Sequence, residues 1–220
     1  MPCKIVYQGG NAEIVEKKSR FLASVQPVNS EEEALEFLQE VRREHWGAKH
    51  HCYAYVIGEG QRLQRFSDDG EPAGTAGKPI LEVLLAEDVH NTLIVVTRYF
   101  GGILLGTGGL VRAYTKAAAE GLQASRIAVK QWGCRLKLRT DYAGAGKVQY
   151  LLGKNHIPVT GSEFTESVQF EVLVTAEERE ALESDLTEAT NGQIQIVCAE
   201  QLQFALADGE ILEFQTDKEA

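Results

Sequence analysis

The chain has 220 residues, of which 44% are apolar and 25% are charged, and its formal net charge is −10. This length allows one large domain or two modest ones, and the apolar fraction suffices for a packed core, which excludes a largely disordered chain. No run approaches the roughly 18 uncharged apolar residues of a membrane helix, and the start of the chain lacks the pattern of a secretory signal. The sequence therefore predicts a cytoplasmic protein with no membrane partner.

The negative charge is concentrated in the second part of the chain. Residues 1–130 contain 15 Lys and Arg against 16 Asp and Glu, a net charge of −1, whereas residues 131–220 contain 7 against 16, a net charge of −9. Negative charge repels the phosphates of nucleic acids. Because the first part is nearly neutral, this repulsion does not exclude a nucleic-acid partner for it.

Strand and helix patterns alternate in the first part of the chain. Ser30 followed by three glutamates is typical of a capped helix start, since carboxylates favour the positive end of a helix dipole. The uninterrupted apolar run at 93–97 is typical of a central strand covered on both faces. We predict strands at 4–7, on both sides of a polar turn at 16–20 within 11–28, and at 51–57, 61–66 and 93–97, with helices at 30–44, from Lys78 onward and at 110–122.

The second part of the chain contains strands and helices in a regular order. We predict strands at 134–139, 157–164, 168–175 and 194–206, with helices at 143–155 and 176–190. This order, βαββαβ, is the ferredoxin-like split unit. We therefore predict an α+β protein with domains at 1–130 and 131–220, joined through residues 127–133.

The glycine-rich stretch RYFGGILLGTGGLVR resembles an anion-binding turn before a helix. Glycines allow backbone N–H groups to approach a ligand, and a helix start is electropositive, so a phosphate suits it. An aromatic ring beside the turn could stack on a base or a sugar. The alternative is that these glycines only permit a tight turn under close helix packing. The candidate anion-binding or nucleic-acid-binding residues are Arg98, Tyr99, Gly101, Gly102, Gly106, Gly108, Gly109 and Arg112, with Lys78 and Arg65 as rim contacts.

Three carboxylates on one loop, Asp68, Asp69 and Glu71, could supply oxygen ligands for magnesium or a general base. The alternative is a solvated turn, since the loop lacks the spacing of a calcium site. His50 and His51 do not predict a metal site, because adjacent strand residues point to opposite faces. We therefore assign no catalytic residue, metal or cofactor.

The four cysteines are far apart in the sequence, at positions 3, 52, 134 and 198. They form no Cys-x-x-Cys pair and have no zinc-site spacing. We expect buried or unreactive free thiols.

Several ordered motifs together resemble one known family. They are Ser19-Arg20-Phe21, Lys49-His50-x-Cys52-x-Ala54-Tyr55, the loop from Asp68 to Pro79, and the stretch from Arg98 to Tyr114. In this order they resemble the Impact family in its bacterial, YigZ-type form, over roughly residues 1–130. The remainder is similar to the ferredoxin-like C-terminal domain that bacterial members carry.

The resemblance implies that the first domain has the ribosomal protein S5 domain 2-like fold. Translocating elongation factors share this fold, as do small-metabolite kinases that hold phosphate at a glycine-rich helix start. The second domain is similar to the last domain, domain V, of the same elongation factors. Eukaryotic relatives regulate translation under amino-acid stress by interfering with an initiation-factor kinase through an additional N-terminal domain. The resemblance does not imply that interaction for this chain. It implies only a broader role near translation.

Three hypotheses about function follow. The first is a non-enzymatic, translation-associated regulator that binds RNA, a ribosomal surface or a translation factor through the glycine-rich turn. The second is a metal-assisted enzyme acting on a small phosphorylated or nucleotide ligand. The third is an adaptor that binds a protein through the acidic second domain. The sequence leaves the identity of the partner and the oligomeric state open.

Overall fold

A computed structural model describes residues 2–214, which form two compact units, Cys3–Val129 and 130–214. Both units combine helices with β-sheet, and the sequence-based prediction of an α+β protein is confirmed. None of the helices in residues 2–214 has the length and apolar character that a membrane crossing requires.

The first unit alternates strands and helices along the chain. Its strands are β1 (Cys3–Gln8), β2 (Asn11–Glu16), β3 (Ser19–Pro27), β4 (His50–Ile57), β5 (Leu63–Ser67), β6 (Val89–His90) and β7 (Thr92–Tyr99). Its helices are α1 (Glu31–Glu44), α2 (Gly77–Ala86) and α3 (Thr107–Gln123). Strand β1 pairs in parallel with β6.

A five-stranded antiparallel sheet organises the first unit, in the order β2-β3-β7-β4-β5. Phe21 and Val96 belong to the core cluster shared with α2 and α3, whereas Leu93 and Val95 belong to the cluster shared with α1. Alternate residues of the strands thus face different helices, as the period of two requires. Strand β7 is covered on both faces, which confirms the prediction made from its apolar run.

Helix starts agree with the sequence at α1 and differ from it at α3. The hydroxyl of Ser30 accepts a 3.2 Å hydrogen bond from the Glu33 N–H, as a capping serine should. Helix α3 begins at Thr107, with Gly106 as its N-cap, three residues earlier than predicted. Glycine is a poor helix former, so propensity alone placed Gly108 and Gly109 in the turn. They instead form the first turn of the helix.

The second unit has the predicted ferredoxin-like topology. Its elements are β8 (Arg126–Thr140), α4 (Tyr142–Lys154), β9 (Val159–Phe164), β10 (Val168–Thr175), α5 (Ala176–Ala189), β11 (Gln195–Ala207) and β12 (Glu210–Phe214). The strands pair antiparallel in the order β9-β10-β8-β11-β12, so the strands of the βαββαβ motif stand in the order 2-3-1-4. Residues 127–133, the predicted junction, belong to the long strand β8, and the division between the two units, Val129 to Lys130, lies within them.

Two of the four cysteines are not free thiols. Cys134 on β8 and Cys198 on β11 form a disulfide, with their Cα atoms 6.3 Å apart. The expectation of free thiols is wrong for this pair, because two neighbouring antiparallel strands bring together residues that lie 64 positions apart in the sequence. Cys3 and Cys52 are free.

We predict that Gly121→Ala lowers the free energy of unfolding by roughly 1–3 kcal/mol, because α3 packs closely on β3 at this residue. A Cβ on Gly121 would lie 2.8 Å from the Ala23 Cβ and 3.2 Å from the Val25 Cγ2. Denaturant unfolding of the purified variant measures the loss.

Gly146→Ala is the matched control, since a Cβ on this exposed α4 glycine meets nothing within 4 Å. Alanine there should raise helix stability by about 0.5–1 kcal/mol. Equal effects of the two substitutions would contradict the close approach of α3 to β3.

Candidate functional site

The end of β7 lies between the starts of β3 and β4. Arg98 lies opposite Phe21 on one side and opposite His50 on the other, and Tyr99 lies opposite Arg20. Three motifs that are far apart in the sequence therefore meet at one end of the sheet.

The Asp68 side chain supplies a carboxylate at the start of α2. Its Oδ1 accepts hydrogen bonds from the N–H groups of Ala76 and Gly77 at 3.0 and 2.9 Å. Its Oδ2 accepts another from the Gly74 N–H at 2.8 Å. The carboxylate thus satisfies amides that a helix start leaves unpaired, and its charge suits the helix dipole. Asp68, a candidate loop ligand, serves as a helix cap.

Asp69 joins the loop to β4 and α1. Its Oδ2 accepts the His51 N–H at 2.7 Å, and its Oδ1 forms an ion pair with Arg42 at 2.9 Å. Burial lowers the pKa of His51 and outweighs the opposing effect of its hydrogen bond to the His45 carbonyl. Within residues 2–214, no group of three or more His, Cys, Asp or Glu side chains is arranged to hold a metal ion.

Arg98 and Glu71 form a buried ion pair beneath this end of the sheet. The Arg98 Nη1 lies 2.6 Å from the Glu71 Oε1, and the two side chains are only 6% and 4% exposed. The Tyr114 hydroxyl donates a 2.8 Å hydrogen bond to the same oxygen. Buried charges are retained when they are paired in this way. Arg98, a candidate anion contact, is instead buried and neutralised by Glu71.

The Tyr114 hydroxyl and the Cys52 thiol extend this buried network. The Cys52 thiol donates to the Tyr114 oxygen at 3.3 Å. Burial raises the pKa of Tyr114 and that of Cys52 well above their ordinary values. Both groups therefore stay protonated, and Tyr114 remains a hydrogen-bond donor to Glu71.

Ser19 connects the buried network to the glycine-rich turn. Its hydroxyl accepts a 3.1 Å hydrogen bond from the Gly101 N–H, and the Arg98 Nη2 lies 3.5 Å from the same oxygen. A Cβ on Gly101 would overlap the backbone of Lys18 and Ser19. Glycine is therefore required at 101 for close packing, whereas Gly102 is required for its φ of +82°.

The start of α3 presents free backbone donors. Gly106, with a φ of +72°, gives no side-chain cap, and the first intrahelical hydrogen bond runs from the Leu110 N–H to the Gly106 carbonyl. Among the residues that the structure describes, the N–H groups of Thr107, Gly108 and Gly109 have no hydrogen-bond partner. Such amides attract an anion. Of the predicted glycines, Gly108 and Gly109 lie in this first helical turn, whereas the N–H of Gly101 is bonded to Ser19.

The four predicted cations occupy different environments. Arg112 is exposed, its Nη1 lies 3.7 Å from where a Gly108 Cβ would stand, and no ion pair engages it within the described part of the chain. Lys78 is 62% exposed in the first turn of α2 and lies 3.9 Å from Glu82. Arg65 lies opposite Tyr55, whose side chain packs on the α1 face of the sheet. Arg112 therefore lies beside the start of α3, and Arg98 is buried at the end of the sheet. Arg65 lies on the face of the sheet that packs against α1.

The comparisons with known proteins match both parts of the chain. The Impact N-terminal domain matches residues 17–122, and a domain of unknown function, DUF1949, matches residues 138–193. The IMPACT family member YvyE of Bacillus subtilis is 43% identical over 87% of this chain and 88% of its own length. The IMPACT family member YigZ of Escherichia coli is 37% identical over 84% of this chain and 92% of its own length. The chain belongs to the Impact family.

This Impact-family chain is also similar to a solved structure and to a eukaryotic relative. A solved structure described as a hypothetical protein is 35% identical, with a TM-score of 0.57, and covers 90% of this chain and 98% of that one. The IMPACT homolog of Dictyostelium discoideum is 37% identical, but over 46% of this chain and 29% of its own length. The similarity to the eukaryotic protein is thus confined to part of each chain.

Sequence reasoning did not assign site roles to Ser19, Cys52 and Tyr114. All three side chains lie in the motifs that identify the family, and all three residues are fully buried. Each of them is a polar residue at a position where strand or helix periodicity predicts a buried side chain, and this is the signal that the sequence provides. Which polar groups pair could not be read from that signal.

We predict that Glu71→Ala lowers the free energy of unfolding by about 3–5 kcal/mol, because it leaves the buried Arg98 guanidinium unpaired. Denaturant unfolding, followed by circular dichroism, measures the loss.

Glu13→Ala is the matched control, since Glu13 pairs with Arg20 at 2.6 Å on the surface. Exposed ion pairs contribute little to stability, so this variant should unfold almost as the parent does. Similar small losses in both variants would show that the Glu71–Arg98 pair does not hold this end of the sheet together.

Proposed function

We propose that the protein is a non-enzymatic regulator that acts near translation by binding RNA at the start of α3. The observation that carries the proposal is the set of N–H groups at Thr107, Gly108 and Gly109, which have no partner within residues 2–214, with the exposed Arg112 guanidinium beside them. Amide donors and a guanidinium are the groups that proteins use to hold phosphate oxygens.

The start of α2 supports the same conclusion from within the molecule. There the Asp68 carboxylate accepts three backbone N–H groups. The start of α3 offers the same kind of donors, but within the described residues no side chain caps it. An external anion is the ligand that would make equivalent contacts at α3.

The exposure of this region favours a long ligand over a small metabolite. Thr107 and Gly108 are exposed, and Leu104 in the preceding turn is 84% exposed. A small-molecule site encloses most of its ligand, typically about 70–90% of the ligand surface. An open rim suits a polymer that lies across it.

The loop carboxylates support a binding protein over an enzyme. Asp68 caps α2, Asp69 pairs with Arg42, and Glu71 pairs with Arg98. Each carboxylate thus has a structural partner within the protein, which favours a structural role over that of a metal ligand or a general base.

The proposed connection with translation rests on the family. Homologues in the Impact family, including eukaryotic IMPACT proteins, indicate a regulatory or translation-related role. RNA is the phosphate polymer that such a role makes available.

We predict that Arg112→Glu weakens binding to deproteinised ribosomal RNA at least about tenfold, because one charge-assisted phosphate contact is lost and a repulsive charge is introduced. Binding of the parent should also fall steeply between 50 and 200 mM salt, as the release of counterions requires. Filter binding and co-sedimentation with ribosomes, each at both salt concentrations, measure these effects.

Arg62→Glu makes the same charge change near the opposite end of the sheet, just beyond the end of β4, and should bind as the parent does. Equal losses in both variants would indicate a general charge effect and contradict the site. Binding to ribosomes that survives nuclease, without binding to free RNA, would show a protein partner and overturn the proposal.

A further inference from the structure

Three aromatic side chains of the first unit are exposed, and Trp46 and Phe100 are more exposed than Phe66, at 47%. Trp46 is 86% exposed and Phe100 is 53% exposed. Large aromatic rings are normally buried for most of their area, and exposed ones mark contact surfaces. A Cβ on the neighbouring Gly47 would meet nothing within 4 Å, so the space beside Trp46 is open.

Both aromatics are anchored at the end of the sheet that carries the candidate site. Trp46 directly follows His45, whose Nδ1 lies 3.1 Å from the Tyr99 hydroxyl. Phe100 directly follows Tyr99, and its ring lies 5.5 Å from the Arg98 Cζ. Tyr99 therefore connects the two exposed residues. It precedes Phe100 in the chain, and its hydroxyl contacts His45, which precedes Trp46.

The end of α1 is held in place by a second contact. Arg42, in the last turn of α1, pairs with Asp69 at 2.9 Å. Because Asp69 also accepts the His51 N–H, the loop, the start of β4 and the end of α1 form one connected region. Trp46 is thus presented on a fixed support.

Cationic groups accompany these rings. The Arg20 Cζ lies 5.5 Å from the centre of the Tyr99 ring, but the guanidinium is already paired with Glu13 at 2.6 Å, so the exposed lysines supply the positive charge. The backbone of Lys18 packs against Gly101, and its side chain belongs to an exposed residue in the turn between β2 and β3. Lys49, just before β4, is also exposed. Charge complementarity thus favours a polyanion at this end of the sheet.

Aromatic rings beside cations fit unpaired bases joined by phosphates. In single-stranded nucleic acids the bases are free to stack on aromatic side chains while cations follow the backbone. In a duplex the bases are already stacked and paired, so the exposed rings would gain no partner. The pairing of rings with cations therefore distinguishes between the two forms of RNA.

We propose that this surface binds single-stranded RNA and that Trp46 and Phe100 stack on its unpaired bases. The inference rests on the proposed function, because a strand whose phosphates are held at the start of α3 would cross the end of β7 to reach Trp46, which follows α1, the helix packed on the other face of the sheet. The inference specifies single-stranded RNA. Phosphate contacts alone do not distinguish single-stranded RNA from duplex RNA.

Trp46 provides a direct optical test. The chain contains two tryptophans, so Trp132→Phe leaves Trp46 as the only one. We expect 12-nucleotide oligoadenosine and oligouridine RNAs to quench the fluorescence of Trp46 on binding. A 12-base-pair RNA duplex at the same salt concentration should bind more weakly and quench little.

The affinity test uses alanine variants of the full chain. Trp46→Ala and Phe100→Ala should each weaken binding of the single strand by about tenfold to a hundredfold and leave duplex binding nearly unchanged. Tyr150→Ala is the matched control, since Tyr150 is a 69% exposed aromatic on α4 in the second unit. It should bind like the parent.

The outcomes separate this inference from the proposed function. If Arg112→Glu abolishes RNA binding while Trp46 is not quenched and both alanine variants bind normally, the function stands and the stacking inference is overturned. Equal affinity for single strand and duplex would overturn it in the same way. If no RNA binds at either salt concentration, the proposed function fails and the inference fails with it.

Discussion

The buried ion pair between Glu71 and Arg98 is the interaction on which the candidate site depends. Glu71 accepts hydrogen bonds from Arg98 and from Tyr114. One carboxylate oxygen therefore connects three elements, the loop after β5, the end of strand β7 and the first half of α3. Through Ser19, the same network reaches the Gly101 N–H and thus the turn that leads into α3. Each of these groups is buried, and a buried polar group is costly unless it is paired. The direction in which the free amides of α3 point is therefore set by contacts that solvent does not reach.

Two helices begin in this unit with opposite solutions to the same electrostatic problem. Every helix start leaves N–H groups unpaired and carries partial positive charge. At α2 the chain supplies its own anion, Asp68, whereas at α3 it supplies glycines and a nearby guanidinium. Cationic Arg112 beside an electropositive helix start adds repulsion, which an anion bound between them would relieve. In the proposed function, a bound anion at α3 would take the place that Asp68 occupies at α2.

The sequence predicted the features that depend on local pattern and missed those that depend on distant pairing. Ser30 and the glutamates after it predicted α1, and the apolar run in β7 predicted a central strand. The burial of Arg98 could not be predicted in this way, because its partner lies 27 residues away on a loop that reads as solvated. The disulfide between Cys134 and Cys198 likewise depends on strand pairing. Helix α3 starts early because packing of its buried face overrides the low helix propensity of Gly108 and Gly109.

The uneven charge of the chain bears on how such a surface could select its ligand. A strongly basic protein binds any nucleic acid through phosphate contacts alone, and salt weakens that binding. Here the part of the chain that carries the candidate site has a net charge of −1, and the remainder has −9. A net charge near zero gives this part of the chain little long-range attraction for phosphates, so its affinity for a nucleic acid would depend on local contacts. Stacking of bases on aromatic rings, as proposed for Trp46 and Phe100, is less sensitive to salt than ion pairing is. A nearly neutral unit with exposed aromatic rings would therefore depend on unpaired bases for a larger share of its affinity, and would discriminate against duplex RNA that a basic surface would bind.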